Sequence, residues 1–131
     1  MSNIKLFYRA SYNNTKHTDT KVRNWLKDNH IHYKETPIEE VTYTELLHLL
    51  SLSEGGFEDL ICRRGKYYRE MCERRLLDHS MSFTAFVQVV LEHPQLLRTP
   101  IVFDEKRLQI GFHSDEIRKF IPRQVRKLEL Q

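Results

Sequence analysis

Two cysteines, Cys62 and Cys72, are the only thiols in the 131-residue chain, and both stand in its most basic stretch, among Arg63, Arg64, Lys66, Arg69, Arg74 and Arg75. Neighbouring cations lower a thiol pKa and favour the nucleophilic thiolate. Ten residues apart, the pair fits neither a Cys-x-x-Cys redox or zinc motif nor a disulfide framework, so reduced thiols are the default and a small, partly buried residue without redox role is the competing reading. The same stretch places Tyr67 and Tyr68 between cations, a composition that can contact phosphates and stack on bases, although Glu70, Glu73 and Asp78 dilute its charge. Seven histidines form no metal signature. His30 and His32 could share one strand face, but zinc needs three or four convergent ligands. No phosphate-binding glycine loop, dinucleotide fingerprint or Ser/His/Asp signature is present.

The charge is unevenly distributed. Glu35, Glu39, Glu40, Glu45, Glu54, Glu58 and Asp59 occupy residues 35–59 without a single Lys or Arg, and the basic run follows at once. Opposed acidic and basic faces are the expected result, within a net charge of only +3. A chain of this length and composition should form one domain with its own core. No apolar run is long enough for a membrane span, and the N-terminal residues lack a signal-peptide pattern, so a cytoplasmic protein is expected.

The elements that must position these groups read clearly in places. Ile4 to Tyr8 suits a buried strand. Thr18-Asp19-Thr20 offers a cap and an acidic first turn for a helix to about Asn29, with Val22, Trp25 and Leu26 on one stripe. A second strand is expected over Ile31 to Thr36, ending at Pro37. Thr42-Tyr43-Thr44-Glu45 is a capping box before a leucine-rich amphipathic helix to about Ser53, which Gly55-Gly56 would end through a left-handed residue. Short helices are expected over Phe57 to Ile61 and Lys66 to Arg75. Ser82 caps another over Phe83 to Glu92, stopped by Pro94. Ile101-Val102-Phe103, a polar turn and Leu108-Gln109-Ile110 make a β-hairpin. Ser114-Asp115-Glu116 would cap a last helix with Ile117 and Phe120 inward.

The run EHPQLLRTPIVFDEKRLQIGFHSDEIRKFIPRQVR, residues 92–126, resembles the C-terminal part of the Spx proteins, members of the arsenate reductase-like family. The likeness continues more weakly through Leu6 to Arg9, Trp25-Leu26 and Glu54 to Arg64. It implies an α/β, thioredoxin-like fold with a mixed four-stranded sheet: a core over residues 1–41 and 80–122, a helical insertion over 42–79 and a tail over 123–131. It also implies a cis Thr99-Pro100 bond. In that family the loop after the first strand carries the reactive cysteine or a Cys-x-x-Cys switch. Here that loop reads Tyr12-Asn13-Asn14-Thr15-Lys16-His17, with no thiol.

What the resemblance implies about function is a non-enzymatic transcription regulator that binds the C-terminal domain of the RNA polymerase α subunit, with no cofactor and no metal. The contact would centre on Glu54, Gly55, Gly56 and Glu58, and Gly56→Arg would abolish it without harming the fold. A monomer when free and an auxiliary promoter DNA contact complete the expectation. The alternative is an arsenate reductase-like enzyme or oxyanion-binding protein. It would use Arg64 and Arg107, which fall where the family has basic residues, whereas Thr99 replaces the Arg of the Arg-Pro-Ile motif and Arg98 stands one place earlier. Adjacent positions on an extended segment point to opposite sides, so Arg98 does not automatically take over that role.

Overall fold

A computed structural model of the protein describes residues 3–10, 17–78 and 80–122. Its centre is β1 (Ile4–Tyr8), paired in parallel with β2 (Tyr33–Pro37) and antiparallel with β3 (Ile101–Phe103), which pairs antiparallel with β4 (Leu108–Ile110). The sheet order is β2-β1-β3-β4, the mixed four-stranded sheet that the pattern predicted. Parallel pairing of β1 and β2 follows from the intervening helix α1 (His17–Asp28), and the short polar turn enforces an antiparallel hairpin.

Register decides which side chains meet. Leu6 sits opposite Val102, and both join Ile4, Val22, Leu26, Ile117 and Phe120 in one cluster. Phe7 sits opposite Ile101 and Lys5 opposite Phe103, on the other face. There Phe7 and Phe103 stack at 5.4 Å within a second cluster that takes in Leu46, Leu49, Leu60, Met71, Val87 and Val90. A one-residue slip would exchange the two faces. The helices after β2 therefore share a core with the sheet: α2 (Tyr43–Leu52), α3 (Phe57–Leu60), α4 (Lys66–Glu73) and α5 (Phe83–Glu92) all contribute to that second cluster.

α2 begins with the reciprocal capping box expected from Thr42 and Glu45. The Thr42 hydroxyl accepts from the Glu45 N–H at 3.1 Å, and the Glu45 carboxylate accepts from the Thr42 N–H at 3.0 Å. Glu45 also pairs with Lys5 of β1, fixing the helix to the sheet. Burial alone would raise the Glu45 carboxyl, but hydrogen bonds from Lys5 and Thr42 leave it below its usual value. Thr42→Ala is expected to cost about 1 kcal/mol, with Thr42→Ser nearly neutral. Urea denaturation reads the difference, and equal stability of all three proteins would refute the role of the cap.

Four details differ from the sequence-based expectation, although α2 ends at Ser53 as expected. β2 starts at Tyr33 rather than Ile31, because residues 29–31 close α1. His30 is left-handed (φ 55°), its N–H bonds to the Lys27 carbonyl, and the Ile31 N–H reaches back to the Leu26 carbonyl at 3.0 Å. This two-bond closure normally uses glycine. The same device, with Arg75 left-handed (φ 58°), ends α4 at Glu73. Gly55-Gly56 does not close α2. Ser53, in extended conformation, ends it with an N–H bond to the Leu49 carbonyl, and Gly56 instead opens α3. The last element, Glu116–Phe120, is a 3-10 turn without a side-chain cap, yet it buries Ile117 and Phe120 as their spacing requires. The tail over 123–131 lies outside the described residues.

The Thr99-Pro100 bond is cis. No helix among the described residues is long and apolar enough to cross a membrane.

Candidate functional site

Between α2 and α3 the chain turns through Ser53-Glu54-Gly55-Gly56, and three local constraints fix that turn. The Asp59 carboxylate accepts from the Gly55 N–H at 2.8 Å, and the Gly55 and Gly56 carbonyls accept from the N–H groups of Glu58 and Asp59. A Cβ on Gly55 would stand 2.6 Å from the Asp59 Oδ1, so a side chain there would push the Asp59 carboxylate from its present place in the turn. Gly56 adopts φ 62°, ψ −130°, the mirror image of extended backbone and a region that only glycine enters cheaply. Nothing lies within 4 Å of the place its Cβ would occupy.

Behind the turn, the buried Leu60 and Ile61 anchor it. Ile61 bridges Leu97, and the Arg98 N–H donates to the Leu60 carbonyl at 2.7 Å. In front, Glu54 and Glu58 are exposed, Glu58 in a loose pair with Arg63 at 3.2 Å. Glu54, Gly55, Gly56 and Glu58 thus occupy one turn, pinned to the segment that leads into the cis proline. The strain at Gly56 corrects one expectation: Gly56→Arg would force a side chain into a conformation costing about 1–3 kcal/mol, so it does not leave the fold untouched.

The arginines separate into two situations. Arg64 and Arg98 line a cavity of about 500 Å³ together with Cys62, Thr99, Gly111 and His113. Arg98 also lines a larger cavity, about 610 Å³, between the acidic turn and the hairpin, with Glu54, Asp59, Lys106, Arg107 and His113. Thr99 is buried while Arg98 is exposed, the opposite sides that an extended segment dictates. Arg98 nonetheless reaches the cavity rim, its Nε donating to the Ile61 carbonyl at 3.2 Å.

Arg107 is engaged in structure. Its Nε and Nη2 meet Asp104 Oδ2 at 2.8 and 2.6 Å, its Nη1 donates to the Lys119 carbonyl, and its guanidinium lies over the Phe120 ring. It is committed to holding the hairpin turn, with little left for an anion. Asp104 completes that turn by accepting from the N–H groups of Lys106 and Arg107 at 2.9 and 2.7 Å. Burial pushes its carboxyl up, and the Arg107 guanidinium with the two N–H groups more than reverses this, leaving it below its usual value. His48 of α2 donates through Nε2 to the Asp104 carbonyl at 2.8 Å and ties the turn to the helical layer.

Sequence reasoning passed over Arg9. Its Nη2 donates to the carbonyls of Leu97 and Gln95, at 2.7 and 3.3 Å, and its N–H donates to the buried Asp19 carboxylate at 2.9 Å. One residue therefore joins β1, the start of α1 and the approach to Pro100. The acidic first turn around Asp19 was visible, but nothing local in the sequence reveals a contact across 88 positions. Residues 11–16, the greater part of the loop in which the resemblance implies a cysteine, lie outside the described residues.

Cys62 is half-buried and Cys72 exposed, both as free thiols. Tyr67 and Tyr68 pack against the core, and the Tyr67 hydroxyl bonds His93 Nδ1 at 2.6 Å, so they do not stand out as stacking platforms. Among the described residues no group of His, Cys, Asp or Glu could hold a metal ion.

Comparison with known proteins gives these features a family context. The sequence model of the ArsC family matches residues 10–120. The chain is 41% identical over 116 residues to the global transcriptional regulator Spx 2 of Bacillus anthracis, covering 85% of this chain and 86% of that protein. It is 42% identical over 113 residues to the global transcriptional regulator Spx of Enterococcus faecalis, covering 85% and 83%. Among solved structures, an ArsC family related protein from Bacteroides fragilis superimposes with TM-score 0.73 at 22% identity, over 90% of this chain and 97% of its own. An arsenate reductase from Vibrio cholerae gives TM-score 0.67 at 18% identity, over 92% and 96%, a likeness of fold alone. With residues 10–120 matched by the family model, the chain belongs to the ArsC family.

Proposed function

We propose that this protein is an Spx-like transcription regulator. It docks on the C-terminal domain of the RNA polymerase α subunit through the turn Glu54 to Glu58, and it does so without a thiol switch. The observation that carries the reading is Gly56: backbone held in a glycine-only conformation, open where a side chain would be, and flanked by exposed Glu54 and Glu58. A backbone without Cβ admits close approach by another chain, and the two carboxylates favour a basic partner surface. Relatives at about 40% identity that bear the name global transcriptional regulator support the same reading.

In this reading the protein is not an enzyme. The loop where the family places its nucleophile has no cysteine in this sequence, and Arg107, which with Arg64 falls where the family has basic residues, is tied to Asp104. It works in the cytoplasm, free as a monomer, and Arg64 and Arg98, both exposed, supply the auxiliary contact to promoter DNA. One observation favours the alternative of a small-anion site: Arg64 and Arg98 share a cavity with Cys62. Arsenate turnover with glutathione and calorimetric titration with arsenate separate the two, since the regulator gives neither turnover nor saturable anion binding.

Redox independence has its own test. Affinity for the α-subunit domain is expected to be the same in dithiothreitol and after peroxide treatment, in the native protein and in the Cys62→Ser, Cys72→Ser variant. A peroxide response of the native protein that is lost in the Cys62→Ser, Cys72→Ser variant would contradict a protein without a thiol switch.

A further inference from the structure

Phe83 opens α5 and, at 57%, is the most exposed large hydrophobic side chain among the described residues. It is the outermost of three rings in contact. Phe57 lies 5.6 Å from Phe83 and 4.5 Å from Phe86, and both Phe57 and Phe86 are half-buried against the main core. The ladder thus runs from the interior to solvent, with its inner members held rigid by packing. Its middle ring belongs to the residue that directly follows Gly56, and Glu58 comes next. An exposed aromatic anchor on a rigid base, rimmed by carboxylates, has the make-up of an interface centre rather than of ordinary surface.

We infer that Phe83, carried on Phe57 and Phe86, is the apolar half of the docking surface whose acidic half is the turn from Glu54 to Glu58. This rests on the docking reading given above. The charge pattern selects the occupant. Glu54 and Glu58 are exposed, and the pair between Glu58 and Arg63 at 3.2 Å is a surface contact that a partner can replace, so the matching partner presents an aliphatic or aromatic side chain flanked by lysine or arginine, its cations meeting Glu54 and Glu58 while its apolar group covers Phe83. The open backbone at Gly56 allows the partner close enough for both contacts at once. On this view the polymerase domain meets the present protein through an apolar centre with a charged rim, the anatomy of a specific interface.

The test is titration of the isolated polymerase domain, the C-terminal domain of the α subunit, into the native protein and into Phe83→Ala, Phe83→Leu and Leu76→Ala. Leu76, 44% exposed near the end of α4, is the apolar control. Phe83→Ala is expected to weaken binding by about thirtyfold, the loss typical of an aromatic anchor. Phe83→Leu should recover part of that loss and Leu76→Ala should bind normally. Circular dichroism melts confirm that each variant is folded, and Phe83→Leu, which keeps an apolar side chain on the ladder, guards against a loss caused by local unfolding. Normal binding by Phe83→Ala overturns the inference and leaves the docking turn standing, as does an equal loss in Leu76→Ala. If Phe83→Ala instead changes self-association in sedimentation without affecting the polymerase domain, the ladder covers a second copy of this chain and the inference falls. Absence of binding by the native protein removes both the inference and the docking reading beneath it.

Discussion

Reversing the charge of Glu54 and Glu58 together, as Glu54→Arg, Glu58→Arg, is expected to weaken binding to the α-subunit domain by at least about a hundredfold, because like charges facing one another across an interface cost several kcal/mol. The fold should barely respond. Both side chains are exposed, and the pair between Glu58 and Arg63 at 3.2 Å is a surface contact worth at most about 1 kcal/mol. The closure of the turn runs through Asp59 and backbone groups, which the substitutions do not touch. This separation of binding from stability is what Gly56 substitutions cannot offer, since any side chain there is strained. Calorimetry and thermal melts on the same preparation read both quantities. Undiminished affinity at a normal melting temperature would place the polymerase contact elsewhere.

The largest effect on stability is expected at Asp104, whose carboxylate no solvated group replaces. Asp104→Ala removes the bonds from the Lys106 and Arg107 N–H groups and strands the Arg107 guanidinium over Phe120. Asp104 is buried but the Arg107 side chain is 35% exposed, so losing the pair together with the two N–H bonds should cost about 2–3 kcal/mol. The melting temperature should fall by roughly 10 °C for a chain of this size. Asp104→Asn keeps an acceptor for the turn but loses the charge, so it should fall between the two. The acid side gives an independent reading. Because the folded Asp104 carboxyl is held below its ordinary value, it contributes stability that is present above about pH 4, the unfolded carboxyl's own range, and is lost as pH falls through the lower folded value. Glu45 acts in the same sense through Lys5 and Thr42. Part of the acid-sensitive stability should therefore disappear in Asp104→Asn, and an unchanged acid limb would refute the assignment.

Much of this fold could be read because its determinants are local. The hairpin is written in β-branched residues around a polar turn, and α2 announces itself through Thr42 and Glu45 at capping-box spacing. α5 does so through Ser82 at one end and Pro94 just beyond the other. The mixed sheet followed from element order alone, since a crossover helix forces one pair parallel and a tight turn forces another antiparallel.

The misreadings share a physical cause. His30 and Arg75 end their helices in left-handed conformations that glycine usually takes, so no residue marked those boundaries, and Ile31 passed for a strand residue when it is the apolar contact of a helix cap. The glycines that were visible, Gly55 and Gly56, serve the next element instead of the preceding one. At the site, the turn from Glu54 to Glu58 was legible as a unit because its residues are adjacent. The roles of Arg9 and Arg107 were not, because they depend on contacts that only the assembled sheet creates. Arg107 illustrates the point: its position in the chain suggested an anion ligand, and its neighbours Asp104, Lys119 and Phe120 make it a structural clamp.

The most direct test of polymerase docking without a thiol switch is calorimetric titration of the native protein with the isolated C-terminal domain of the α subunit, under reducing and oxidising conditions. Saturable one-to-one binding of equal strength in both is the predicted result. No binding in either would leave the ArsC-family fold in place and contradict the polymerase-docking function, and binding only after oxidation would contradict the absence of a thiol switch.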